Sequence, residues 1–142
     1  MSVILPCWFF VHIDFALKET QSMFLNLAHT RLDVFQLSKK FVLECYKQSK
    51  ALPADERFAM TQQLRRAALS VHLNIAEGCS RKSGNERKRY FEIARGSVIE
   101  VDTAMDIAVE LEYLSLNGLE DFGTLINRTF ACISGVISSN SQ

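Results

Sequence analysis

The sequence predicts an all-α protein, an antiparallel up-down-up-down four-helix bundle, and three observations carry that prediction. Apolar residues recur at spacings of three and four along four separate stretches, the period that keeps side chains on one helical face. Six glycines and two prolines in 142 residues supply too few turns for an all-β chain. The breaks between the stretches are short, so consecutive helices run antiparallel. Hydrophobic and charged fractions of 48% and 23% suit one globular domain able to bury a core.

The elements follow in order. Residues 1–29 precede the regular pattern. Their opening, MSVILPCWFFVHIDF, is apolar, but no Lys or Arg leads it and Asp14 interrupts it. It is too short to span a membrane and lacks a signal-peptide cleavage pattern. It reads as an appendage, loosely ordered or docked on a neighbouring surface through Trp8, Phe9 and Phe10, with no membrane role. The bundle occupies 30–138. Its first helix covers about 32–50, with Val34, Leu37, Phe41 and Cys45 on one face. ALPADER ends it, Pro53 marking the break and Asp55 serving as N-cap of the next helix. The second helix covers about 56–77 and stops at Gly78, a C′ position. After the basic loop CSRKSGN, the third covers about 85–115 and is closed by SLNGLED. The fourth covers about 119–138 along Phe122, Leu125, Thr129, Ile133 and Val136, and 139–142 form a polar tail.

Within the second helix, Met60, Leu64, Ala67, Ala68, Val71 and Ile75 gather on an arc of roughly 100°, the core face. Gln62, Arg66, Ser70, Asn74 and Glu77 form a polar stripe beside it. Buried polar groups are costly without partners, so Arg66 and Glu77 are expected to be half-buried and paired, in the bundle or against another subunit. Catalysis by Glu77 would need a nucleophile, a second acid or a metal, and the sequence signals none. Gly96 and Ser97 stand in mid-helix, where a glycine costs up to roughly 1 kcal/mol, which predicts a close helix crossing.

Charge is balanced overall, with sixteen basic and sixteen acidic residues, which weighs against a dedicated nucleic-acid binder. It is segregated locally. Residues 81–95 hold six basic and two acidic side chains, and 96–121 hold seven acidic and no basic ones. The basic block sits at a helix N-terminus, where the macrodipole disfavours cations. Arg81, Lys82, Arg87, Lys88 and Arg89 are therefore candidate contacts for nucleic-acid phosphates, or for the acidic half of a neighbouring copy. Cysteines at 7, 45, 79 and 132 form no CxxC pair and the three histidines are scattered, which implies no metal, no cofactor and reduced thiols in the cytoplasm.

The run QLRRAALSVHLNIAEGCSRKSGNERKRYFEIARGSVIEVDTAMDIA resembles the four-helix-bundle family encoded in intervening sequences of bacterial 23S ribosomal RNA genes. QLRRA, NIAEG, the basic loop and A-x-G-S-x-x-E occur in order. His72 stands where many members have a small or polar residue. The resemblance implies a ring-shaped homopentamer without enzymatic activity. It also implies kinship with the accessory variability determinant of diversity-generating retroelements, which binds nucleic acid and partners a reverse transcriptase. Gln63, Arg65, Arg66, Asn74, Glu77, Gly78, Gly96, Ser97 and Glu100 match the family pattern as residues that define fold and assembly. Three functions compete: an oligomeric bundle that binds RNA or DNA, a protein-binding scaffold without nucleic acid, and an enzyme, the least supported.

Overall fold

The computed structural model describes residues 24–140. Helix α1 spans Asp33–Gln48, α2 Met60–Ser80, α3 Gly84–Glu110 and α4 Glu120–Ser139, with short 3-10 turns at Ala28–Arg31, Ser49–Ala51, Ala54–Phe58 and Leu116–Gly118. No strand occurs among the described residues. Each helix packs on the next, and α4 returns to α1, which closes a four-helix bundle. The expected appendage through Trp8, Phe9 and Phe10 lies outside the described residues, as do positions 141 and 142 of the polar tail.

The core follows the helical period. Leu64, Ala67, Ala68, Val71 and Ile75 of α2 are buried against Phe41 and Cys45 of α1, Phe91, Ala94, Val98 and Val101 of α3, and Phe122 and Ile133 of α4. Phe41 and Phe122 meet across it at 5.8 Å between ring centroids. Burial pushes the Cys45 thiol up to about 12, against the opposing Arg65 charge, and the thiol points at the Leu64 carbonyl at 3.6 Å. Such a thiol is inert and acts as a small hydrophobe. In α1, Ser38 is fully buried where the apolar spacing favours Leu37.

Four expectations need correction. Asp55 caps nothing: 54–58 form a 3-10 turn, and α2 begins only at Met60, whose amide donates to the Glu56 carboxylate at 3.2 Å. Gly78 is not past the end of α2 but buried inside it. Helix α3 stops at Glu110, not near 115, because Glu112 adopts φ 58°. The amide of Tyr113 then donates to Ala108 O and that of Glu112 to Val109 O, both at 2.9 Å, a Schellman closure built without glycine. Among the described residues no helix crosses closely at Gly96, where an added Cβ would meet nothing within 4 Å.

Candidate functional site

Of the polar stripe of α2, Ser70 finds its partner on α3, while Asn74 bonds back to Ser70 and Glu77 pairs with Arg81. Helices α2 and α3 form the most extensive contact in the bundle, and three links run along their seam. Gln63 Nε2 donates to Glu100 Oε2 at 3.2 Å. The hydroxyls of Ser70 and Ser97 meet at 2.8 Å, and Asn74 Nδ2 donates to Ser70 O at 2.8 Å and to its Oγ at 3.1 Å. Near the turn, Arg81 pairs with Glu77 one helical turn earlier and donates to the Tyr90 hydroxyl at 3.3 Å, its guanidinium 5.1 Å from the Tyr90 ring centre. Gly78 lies between these links and lets the Phe91 ring press onto the α2 backbone.

Arg65 turns the other way, toward α1. Its Nε donates to Ser49 Oγ at 2.9 Å and its guanidinium lies over the Tyr46 ring. Arg66 breaks the expectation within one chain: it is exposed and makes no ion pair or hydrogen bond among the described residues. Glu77 is 43% exposed, close to what its position in the stripe predicts. Gly96 and Glu100 are exposed beside buried Ser97.

The α2–α3 turn brings the basic residues together at one end of the bundle. Lys82 and Arg89 are exposed and form no ion pair among the described residues. Arg87 and Lys88 are half-buried, Lys88 Nζ standing 4.0 Å from Glu92 Oε1 and Arg87 Nε buried without a hydrogen-bond partner. Arg81 is engaged by Glu77 and Tyr90, and α3 starts without a side-chain cap. Lys82, Arg87, Lys88 and Arg89 thus crowd the start of the 27-residue α3, with Glu86 in its first turn and Glu92 near Lys88 as the counter-charges beside them. Burial also pushes the nearby Cys79 thiol up, against the charge of Arg87.

One pair escaped the sequence reading. His72 Nδ1 lies 2.7 Å from Ser38 Oγ, and its ring sits 4.4 Å from that of Phe35. A serine and histidine at that distance have the spacing of a nucleophile and its base. Ser38 is fully buried, however, and also donates to Phe35 O, so no substrate reaches it and the pair ties α1 to α2. Among the described residues no three His, Cys, Asp or Glu side chains are grouped to hold a metal, and no helix is long and apolar enough to cross a membrane.

The chain matches, over residues 30–135, the family described as 23S rRNA-intervening sequence protein. No curated protein matches it. It is similar to a crystal structure from Bacteroides thetaiotaomicron, that of a protein of unknown function from the S23 ribosomal protein family. The identity is 20%, with 73% of this chain and 97% of that one covered and a TM-score of 0.68, a likeness of fold.

Proposed function

The chain belongs to the 23S rRNA-intervening sequence protein family, and from that premise we propose that it is a non-catalytic, self-assembling bundle whose basic end holds the phosphates of RNA or DNA. The observation that carries the reading is the group Lys82, Arg87, Lys88 and Arg89 at the start of α3. Cations there raise the energy of the isolated chain, and a polyanion removes that cost. Arg81 contributes charge but is already held by Glu77 and Tyr90. Phe91 is buried and Tyr90 lies under Arg81, so among the described residues no aromatic is free at the turn to stack on bases. Phosphate contacts position a nucleic acid without reading its sequence.

Assembly is the second half of the reading. Leu69 and Leu73 of α2 and Ile93 of α3 remain exposed, and Arg66, one turn before Leu69, makes no ion pair among the described residues. A homopentamer repeats the basic end five times, and such multivalency turns weak contacts into useful affinity. Light scattering is then expected to give about five times 16.1 kDa. Fluorescence anisotropy with a labelled single-stranded RNA tests the ligand. Binding should be insensitive to sequence and fall steeply between about 50 and about 200 mM salt. The triple variant Arg87→Gln, Lys88→Gln, Arg89→Gln should lose binding and keep its mass. A variant that falls to monomers would instead assign those charges to the subunit contact and favour the protein scaffold.

A further inference from the structure

A shallow groove of about 260 Å³ runs between α3 and α4, lined by Val98, Ile99, Asp102, Ile126, Asn127 and Phe130. Ile99 is 51% exposed and Phe130 38%, so the lining is apolar surface left open to water. Asp102 is the one charged group in it, and it makes no ion pair among the described residues. Elsewhere on the molecule the situation is mirrored. The outer face of α2 presents Leu69 and Leu73 one turn apart, Leu73 61% exposed, with Arg66, which makes no ion pair among the described residues, one turn before Leu69.

We propose that this face of α2 seats in the α3–α4 groove of a second copy of the chain, Leu69 and Leu73 against Ile99 and Phe130, and Arg66 opposite Asp102. The inference rests on the self-assembly reading above and gives it a geometry. Charge selects the pairing. Two α2 faces in contact would leave both Arg66 charges without an acidic partner, and two grooves would leave both Asp102 charges without a basic one. Only the unlike faces bring a ridge and a groove of opposite sign together. The packing order allows both faces to be filled at once, because α2 adjoins α1 and α3 while the groove lies beyond α3. A contact between two different faces is heterologous, and repeated by rotation it closes a ring.

The test is a charge exchange on the full chain, read by light scattering, with circular dichroism to confirm that each variant stays helical. Arg66→Asp and Asp102→Arg should each dissociate the assembly to the 16.1 kDa chain. The double variant, and an equimolar mixture of the two singles, should both recover it, since each restores unlike charges across the contact. Both positions are exposed, and the milder Asp102→Asn, expected to weaken association more than about tenfold, serves if a reversal unfolds the chain. If the unmodified chain is itself a monomer, the assembly reading fails and takes this inference with it. If it assembles and the single variants keep its mass, this inference alone fails, and another contact or residues 1–23 cover the groove. Single variants that dissociate without recovery in the double also overturn it, because the two charges then do not face each other.

Discussion

A methyl group on Gly78 would stand 2.7 Å from Cε1 of Phe91 and 3.0 Å from its Cδ1. Phe91 is almost fully buried, and the atoms in the way belong to its rigid ring, held in the core. Gly78→Ala must therefore push α2 and α3 apart. Overpacking of this kind costs about 1–3 kcal/mol, of which alanine's better helix propensity returns up to about 1. Urea unfolding should show a net loss of stability, and adding Phe91→Leu should recover part of it.

Gly96 offers the opposite case on the neighbouring helix. Nothing lies within 4 Å of its missing side chain, and it is exposed. Gly96→Ala should stabilise the folded chain by up to about 1 kcal/mol. If light scattering shows that the same variant also dissociates the assembly, the glycine is kept for a neighbouring copy.

The left-handed residue that closes α3 is a glutamate. Holding a side chain at φ 58° costs roughly 1 kcal/mol that glycine avoids. Glu112→Gly should raise the thermal midpoint slightly, with a gain of up to about 0.6 kcal/mol after glycine's larger unfolded-state entropy is counted. Glu112→Ala, which keeps the Cβ, should bring little of that gain.

That turn also marks where the sequence stops being legible. The four helices could be read from Val34, Leu64, Val98 and Ile133 and their periodic neighbours, because packing on one core imposes the period. The ends could not be read the same way, since each depends on a contact made in space. Glu56 replaces Asp55 as the group that caps α2, and its other oxygen accepts from the Tyr113 hydroxyl at 3.3 Å, 57 residues away. Gly78 has the position of a helix stop, yet Phe91 requires it inside the helix. The basic end was legible as a charge run, but the engagement of Arg81 by Tyr90 and Glu77 depends on how the turn folds. Ser38 and His72 looked unrelated because they lie on different helices.

Acid should weaken the folded chain through His72. Burial holds the His72 imidazole below its ordinary value, and the charges of Lys39 and His29 push it the same way. In the unfolded chain it takes up a proton near pH 6.5, whereas in the folded chain it needs a lower pH. Between those two values the unfolded state binds more protons, so stability falls as the pH drops below about 6.5 and is unaffected by this group above it. Urea midpoints measured from pH 7.5 down to 5 should fall more steeply for the unmodified chain than for His72→Gln, to approximate pH values set by that titration.

The last prediction separates the cations that are free from the one that is not. Arg81 would have to leave both Glu77 and the Tyr90 ring to reach a phosphate, whereas Arg89 is exposed with no ion pair to break among the described residues. Each phosphate that a cation neutralises releases condensed counterions, so removing one such contact lowers the salt dependence of binding by about one ion. Arg89→Gln should therefore weaken binding to labelled RNA and reduce the slope of log affinity against log salt by about one. Arg81→Gln should leave that slope close to its original value and change stability little, because the pair it breaks is more than a third exposed on both sides. Equal slopes for the two variants would mean that Arg81 swings out to the ligand and that the Glu77 contact is its resting place.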